Sequence, residues 1–177
     1  METLIAFLRG INVGGHHKVP MACLRVVLTE LNCKNVKTLL NSGNIVFDTG
    51  EKNIQSFEIK IENLLTKTFG FPIPVILKKK TEILGLVDQD PFKRVSVNKD
   101  TRLYVSFLKH SPETKLTLPY TSKDNAYKIL SIENNTILSV LDLSTSRTTK
   151  AMDDLEKNFG KEITTRNWNT IEKIAKL

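Results

Sequence analysis

The sequence predicts an α+β protein made of two copies of one β–α–β–β–α–β plan, followed by a short C-terminal helix. Three observations predict this fold class. Short apolar runs alternate with segments of helical periodicity, turns rich in Gly and Asn separate them, and two segments recur. The segment 65–73 has a Leu-x-x-x-Phe-Gly-x-x-Ile spacing that returns at 155–163, and the apolar run 4–9 is echoed at 103–109. Two matched segments in the same order indicate a degenerate internal duplication.

The first half follows the plan throughout. Pro20 suits the start of a helix, Asn41 to Asn44 reads as a hairpin turn, and Gly70 can end the second helix as its C-terminal cap. In order, the elements are a strand at 3–8, a helix from Pro20 through Leu31, strands at 36–40 and 45–47, a helix from Ile54 to Thr68, and a strand at 73–77. This order is the split βαβ or ferredoxin-like plan, with a mostly antiparallel sheet.

The second half repeats the plan in a degenerate form. Its weak point is 109–123, where Pro112 and Pro119 disfavour a long crossover helix, so we expect an irregular loop there. The other elements are strands at 103–109, 127–132 and 137–143, a helix around Leu155 that ends at Gly160, and a last helix at 170–177 that Asn169 caps. A short helix near 81–87 leads out of the first half. The predicted domains are therefore 1–98 and 99–177.

Composition indicates a packed, cytoplasmic protein. Hydrophobic residues make up 40% and charged residues 25%, which argues against overall disorder. No apolar run is long enough to span a membrane, and the acidic start 1–3 lacks the basic leader of a signal peptide. Cys23 and Cys33 have neither zinc-site nor redox-motif spacing, so we expect two reduced thiols and no metal or cofactor.

The net charge of +7 and the pI of about 9.4 raise nucleic acid or another polyanion as a partner. The positive charge is spread over both halves, and 78–80 is a run of three lysines. Such a run is typical of a solvated strand end that discourages edge pairing. Contact with nucleic acid is the alternative interpretation.

The glycine-rich loop at 9–18 is a candidate ligand site. In the predicted topology it lies at the same end of the sheet as the hairpin turn, and the helix after it starts without a capping side chain, which favours anions. The candidate ligand-binding residues here are Arg9, Asn12, Gly14, Gly15, Lys18, Ser42 and Asn44. The opposing interpretation is a connection that lets the chain turn sharply, with solvated charges beside it.

More specific chemistry at this loop is poorly supported. Gly10-x-x-x-x-Gly15 has the spacing of a nucleotide phosphate loop, but His16 and His17 stand where Lys and Ser or Thr belong. Adjacent histidines without a third ligand do not predict a metal site. Cys23 lacks an identified base, and catalytic residues stay unassigned.

Near the C-terminus, Arg166, Asn167 and Trp168 form a second candidate ligand-binding group. One interpretation is that Trp168, the only tryptophan, closes the core before the last helix. The other is a surface on which Trp168 stacks a base or ring while Arg166 pairs with phosphate.

Three strings of residues give the chain a resemblance to a known family. They are Ala6-x-Leu8-Arg9-Gly10-Ile11-Asn12-Val13-Gly14-Gly15-x-x-Lys18-x-x-Met21-x-x-Leu24-Arg25, Asn41-Ser42-Gly43-Asn44-x-x-Phe47 and Thr165-Arg166-Asn167-Trp168-x-Thr170. They resemble the uncharacterised family catalogued as domain of unknown function 1697, over essentially the whole chain. The resemblance implies an α+β fold with ferredoxin-like halves and supplies no activity, cofactor or catalytic set. Leu40 departs from the aromatic residue expected two positions before Ser42.

Three functions from different classes remain open at this point. The favoured one is a binding module for an anionic ligand, bearing phosphate or carboxylate, or for RNA, at 9–18. The second is an enzyme acting on a small phosphorylated or carboxylated metabolite. The third is a protein-interaction module whose motifs are structural. The fold does not choose among them, and the protein partner and oligomeric state stay open.

Overall fold

The computed structural model describes residues 1–114, 116–125, 127–145 and 147–177. The chain divides into two compact units, one formed by Met1–Leu86 with Lys173–Leu177, the other by Val87–Glu172. The domains proposed from the sequence, 1–98 and 99–177, divide the chain at a different point and assign the last residues differently.

The first unit has the predicted β–α–β–β–α–β order. Its elements are β1 (Glu2–Leu8), α1 (Met21–Glu30), β2 (Lys34–Leu39), β3 (Asn44–Thr49), α2 (Ile54–Phe69) and β4 (Val75–Lys79), followed by α3 (Lys80–Asp88). The sheet order is β2-β3-β1-β4, and each neighbouring pair is antiparallel. Side chains alternate between the faces of a strand, so Leu4 and Phe47 enter the core with Leu24 and Phe57 of the two helices.

Helix α2 has the start and stop signals that its sequence predicts. The Asn53 side chain accepts the Ser56 amide at 2.9 Å, which caps the first turn. Gly70 adopts φ 79°, and its amide donates to the Thr66 carbonyl at 2.9 Å. Glycine tolerates this left-handed conformation without the penalty of a Cβ atom, so the helix ends there.

The outer edge of β4 is covered by carboxylates from α2. Glu58 accepts the Leu77 amide at 2.8 Å, and Glu62 accepts the Val75 amide at 2.9 Å. The two glutamates are one helical turn apart and the two amides are alternate along the strand, so the spacings match. These bonds connect the second helix directly to the edge of the sheet.

The second unit repeats the arrangement. Its elements are β5 (Thr101–Leu108), β6 (Tyr120–Thr121), β7 (Tyr127–Glu133), β8 (Thr136–Asp142), α4 (Thr148–Phe159) and β9 (Ile163–Asn167). The sheet order is β6-β7-β8-β5-β9, all antiparallel, so four strands reproduce the first sheet and β6 is added at the edge. The predicted α+β class with two ferredoxin-like halves, the second degenerate, is confirmed.

Matching hydrogen bonds support the duplication. In the first unit the Leu8 amide donates to the Gly43 carbonyl at 2.8 Å, and in the second the Leu108 amide donates to Asn135 at the same distance. Gly160 follows α4 as Gly70 follows α2, and its amide donates to the Glu156 carbonyl at 2.9 Å, although only Gly70 has the left-handed α conformation. The same main-chain connections therefore recur although few side chains are shared.

The first crossover of the second half contains no described helix, as expected from its prolines. Between β5 and β7 the described residues form only the short strand β6, while Lys115, which falls within the predicted loop 109–123, lies outside the described residues. Strand β6 was not among the predicted elements, because two residues carry no periodicity.

The short C-terminal helix α5 (Trp168–Ala175) starts earlier than predicted. The expected cap at Asn169 is wrong, because the side chain of Asn167 accepts the Asn169 amide at 3.0 Å and caps the helix. Within the described residues, none of the helices combines the length and the apolar character needed to cross a membrane.

Candidate functional site

The loop after β1 and the hairpin turn meet at one end of the first sheet, as the topology predicted. The Leu8 amide donates to Gly43, and the buried Ile11 packs against the same glycine. A Cβ atom at Gly43 would lie 2.6 Å from Leu8 Cβ and 2.9 Å from Ile11 Cδ1. The absence of a side chain at Gly43 is therefore what lets the loop approach the turn.

Asn12 ties the loop to itself and to the turn. Its backbone has φ 55°, a left-handed conformation that asparagine tolerates better than most residues, and its amide donates to the His17 carbonyl at 3.0 Å. Its side-chain oxygen accepts the Val19 amide at 2.8 Å, while Nδ2 donates to the carbonyls of Val19 and Asn41. The predicted ligand residue Asn12 thus uses its side chain to hold the loop together.

The two histidines have different environments. The His17 ring stacks on Phe71 with 4.4 Å between centroids, and its Nδ1 lies 3.2 Å from the Gly10 carbonyl oxygen. The His16 amide donates to Val13 at 3.0 Å, which closes a tight turn over Gly14 and Gly15. Among the described residues, no three His, Cys, Asp or Glu side chains form a group that could hold a metal ion.

The hairpin turn places one of its two candidate residues inside the protein. Asn44 is fully buried, and its Nδ2 donates to the Leu39 carbonyl at 3.0 Å and to Ser42 Oγ at 2.9 Å. Ser42 is exposed at the tip. Leu40 has φ 58° and is 53% exposed, so the position where the family resemblance leads us to expect an aromatic residue presents an aliphatic side chain to solvent.

Helix α1 begins without a side-chain cap. Pro20 occupies the N-cap position rather than the first helical position that the sequence suggested, and it makes no side-chain cap hydrogen bond. Within the described residues, no side chain accepts the first-turn amides of residues 21–23. The nearby Asn12 side-chain oxygen accepts the Val19 amide, which precedes the helix. Lys18 is exposed beside this helix start, and no hydrogen bond or ion pair of its side chain occurs within the described part of the chain. The first turn contains no acidic residue.

The sequence of the loop, the hairpin turn and the elements around them matches a known family. A family model described as "Protein of unknown function (DUF1697)" matches residues 1–137. The chain belongs to this family. No curated protein matches it. Among solved structures, the conserved bacterial protein SP0830 from Streptococcus pneumoniae is similar in fold, with a TM-score of 0.70 and 22% identity over 99% of this chain and 97% of that one.

In this DUF1697 chain the candidate group 166–168 belongs to the second unit and is largely buried. Trp168 is 6% exposed, with its ring edge-on to Phe92 at 5.2 Å between centroids. The Arg166 guanidinium donates to Thr164 Oγ1 and to the Thr165 carbonyl, and burial lowers the pKa of Arg166 to about 10. The interpretation that Trp168 lies in the core fits this environment, whereas a stacking surface for bases does not.

A polar group on the first sheet of the DUF1697 chain was not among the predicted site residues. Asp48 accepts hydrogen bonds from Thr3 Oγ1 at 2.6 Å and from Asn35 Nδ2 at 2.7 Å. These bonds lower the pKa of Asp48 below its usual range, Thr3 contributing most. Thr3 and Asp48 are opposite each other in the antiparallel register of β1 and β3, which their positions along the chain alone do not reveal.

The lysine run Lys78–Lys80 does not form a single solvated group. Lys78 is buried and lies 3.6 Å from Glu82, and Lys79 pairs with Glu2 at 2.8 Å. Only Lys80 forms no ion pair within the described residues. The interpretation of the run as a solvated strand end is therefore wrong for Lys78.

Proposed function

We propose that the protein binds a small anionic ligand, one that carries a phosphate or carboxylate group, at the exposed loop of residues 9–18. The observation that carries this proposal is that an exposed, positively charged loop has a main chain fixed by its own hydrogen bonds and ring contact. Asn12, His17 and the turn at Val13 fix the main chain, yet the side chains of residues 13–18 stay exposed. A segment held in one conformation loses little entropy when it binds.

The charge of the loop selects the class of ligand. Lys18 supplies an exposed ammonium group next to the start of α1, whose first-turn amides bind no side chain among the residues that the structure describes. Amides at a helix start and a nearby cation both favour an oxyanion. Arg9 lies at the other end of the loop, half-buried.

A small ligand fits better than single-stranded RNA. Proteins that hold single strands stack bases on exposed aromatic rings. Here Trp168 is buried, and the face of Phe71 next to the loop is covered by His17. The charge of the loop therefore suits an anion, whereas neither Trp168 nor the covered face of Phe71 can stack successive bases.

The test is a thermal-shift and calorimetry panel with inorganic phosphate, citrate, mononucleotides and a short RNA. A ligand at about a hundred times its dissociation constant adds about 2.7 kcal/mol of stability. For a chain of this size the melting temperature then rises by about 5–10 °C. We expect that rise for a small anion with wild type and with Lys52→Gln, an exposed lysine outside the loop, and its loss with Lys18→Gln.

Two outcomes contradict the proposal. One is a ligand that stabilises Lys18→Gln as strongly as wild type, which would mean that it binds outside the 9–18 loop. The other is RNA binding that weakens steeply with salt and that phosphate and mononucleotides do not inhibit. That result would mean that the ligand is a polyanion and not a small molecule.

A further inference from the structure

A cleft of about 470 Å³ opens on the first sheet, away from the loop discussed above. Thr3, Val46 and Asp48 line it, and they alternate along β1 and β3 with Leu4 and Ile45, which pack in the core with the helices. The cleft therefore lies on the sheet face that α1 and α2 leave uncovered. Its volume is within the range of small-ligand sites, roughly 300–1,000 Å³.

Asp48 is held in a fixed orientation in this cleft. One of its oxygens accepts from Thr3 on β1, and the other accepts from Asn35 on β2. Asn35 has φ 53° and lies where the β2–β3 register shifts, so a bulge aims its side chain at the carboxylate. A carboxylate has about four acceptor positions, and two remain for a donor from outside.

Two lysines bring positive charge to the same cleft. Lys37 donates from Nζ to the Leu177 main-chain oxygen at 3.0 Å and keeps two further donors. Lys37 pairs with Val46, which lines the cleft two residues before Asp48 on β3. Lys80 also lines the cleft, close enough for its charge to favour the ionised form of Asp48.

We propose that this cleft binds a small zwitterion, with its ammonium group on Asp48 and its carboxylate or phosphate on Lys37 and Lys80. An anion without an ammonium group would face the Asp48 carboxylate, and a simple cation would face two lysines. A molecule with both charges satisfies both sides of the cleft. The site goes beyond the proposed function and uses none of the residues of the 9–18 loop.

The test follows amide chemical shifts of the ¹⁵N-labelled full chain by NMR. The probes are glycine and phosphoethanolamine as zwitterions, with ethylamine and acetate as single-charge controls at equal concentration. We expect saturable shifts at Thr3, Asn35 and Asp48 with a zwitterion, at an affinity at least about tenfold above that for either control probe. Shifts at residues 12–18 would report binding at the 9–18 loop, so the experiment can reject either proposed site without rejecting the other.

Three variants complete the test. Asp48→Asn keeps the size and the acceptor for Thr3 but removes the charge and the acceptor for Asn35, so we expect the zwitterion response to disappear. Lys80→Gln should weaken it, whereas Lys67→Gln, an exposed lysine of α2 outside the cleft, should leave it unchanged. The proposal is overturned if no probe gives a saturable response, if the single-charge probes bind equally well, or if binding survives in Asp48→Asn.

Discussion

Asn12 and Val19 are joined by two hydrogen bonds that run in opposite directions. The side-chain oxygen of Asn12 accepts the Val19 amide at 2.8 Å, and Nδ2 donates to the Val19 carbonyl at 3.0 Å. A second proton of Nδ2 reaches the Asn41 carbonyl at 2.8 Å. One amide side chain therefore closes the 9–18 loop and anchors it to the hairpin turn.

Replacing Asn12 by Asp should destabilise the protein. The variant keeps one acceptor but turns both donated bonds into contacts between oxygens, and the carbonyls of Val19 and Asn41 lose their donor. We expect the free energy of unfolding to fall by about 2 kcal/mol in urea denaturation. His16→Ala is the control, because the His16 side chain forms no hydrogen bond within the described residues. Equal losses in both variants would mean that Asn12 does not anchor the loop.

Gly43→Ala and Gly15→Ala separate steric contact from backbone strain. Both glycines have positive φ, 73° and 79°, but a Cβ at Gly43 meets Leu8 and Ile11 while a Cβ at Gly15 meets nothing within 4 Å. We expect a loss of about 1 kcal/mol at Gly15 from strain alone and about 3 kcal/mol at Gly43, measured by denaturation. If Gly43→Ala costs no more than Gly15→Ala, the turn and the loop are not in close contact.

The two cysteines should differ in reactivity. Cys23 is exposed on α1, whereas Cys33 is buried, and this burial raises the pKa of the Cys33 thiol to about 11. A thiol reagent at neutral pH should modify Cys23 quickly and Cys33 only after the chain is denatured. Rapid modification of both thiols in the native protein would show that the interior around Cys33 opens readily.

The raised pKa of Cys33 should make the free energy of unfolding vary with pH in the alkaline range. The folded pKa of about 11 lies above the ordinary value of 9.0, so the unfolded chain releases the Cys33 proton first. The stabilisation is complete below about pH 9 and decreases as the pH rises toward 11. Urea midpoints measured across this window should fall less in Cys33→Ala than in wild type, and identical slopes would contradict the assignment.

Trp168 offers a spectroscopic check on the second unit. Because it is the only tryptophan and is 6% exposed, its fluorescence should resist quenching by iodide in the native state. Quenching should become strong after unfolding in guanidinium. Efficient quenching of the native protein, or quenching by added RNA, would revive the interpretation of Trp168 as a stacking surface.

Sequence patterns located most of the fold because its elements obey local rules. Strand alternation, helical periodicity and the glycine at 70 depend on neighbours in sequence, and the structure confirms them. The predicted topology alone placed the 9–18 loop and the hairpin turn at the same end of the sheet, where the structure has them in contact. The boundaries of α5 were missed because Asn167 and Asn169 are equally good caps by composition, and tertiary placement selected the first.

The chemistry of the candidate residues was harder to predict. Asn12 and Asn44 have side chains that can bind a ligand or a main-chain group equally well, and here they bind main chain. Asp48 was overlooked because its partners, Thr3 and Asn35, come from different strands, one of them from a bulge. Such convergence depends on register and cannot be read from spacing along the chain.

The glutamates on the outer edge of β4 also affect how this protein behaves among its own copies. Sheets grow into fibres when a strand of another molecule pairs with an edge that still has main-chain donors to offer. The amides of Val75 and Leu77 are already bound by Glu62 and Glu58 of the same chain, which also place charge across the path of an incoming strand. Aggregation through this edge would first require α2 to release both amides, so α2 protects the protein from aggregation at β4.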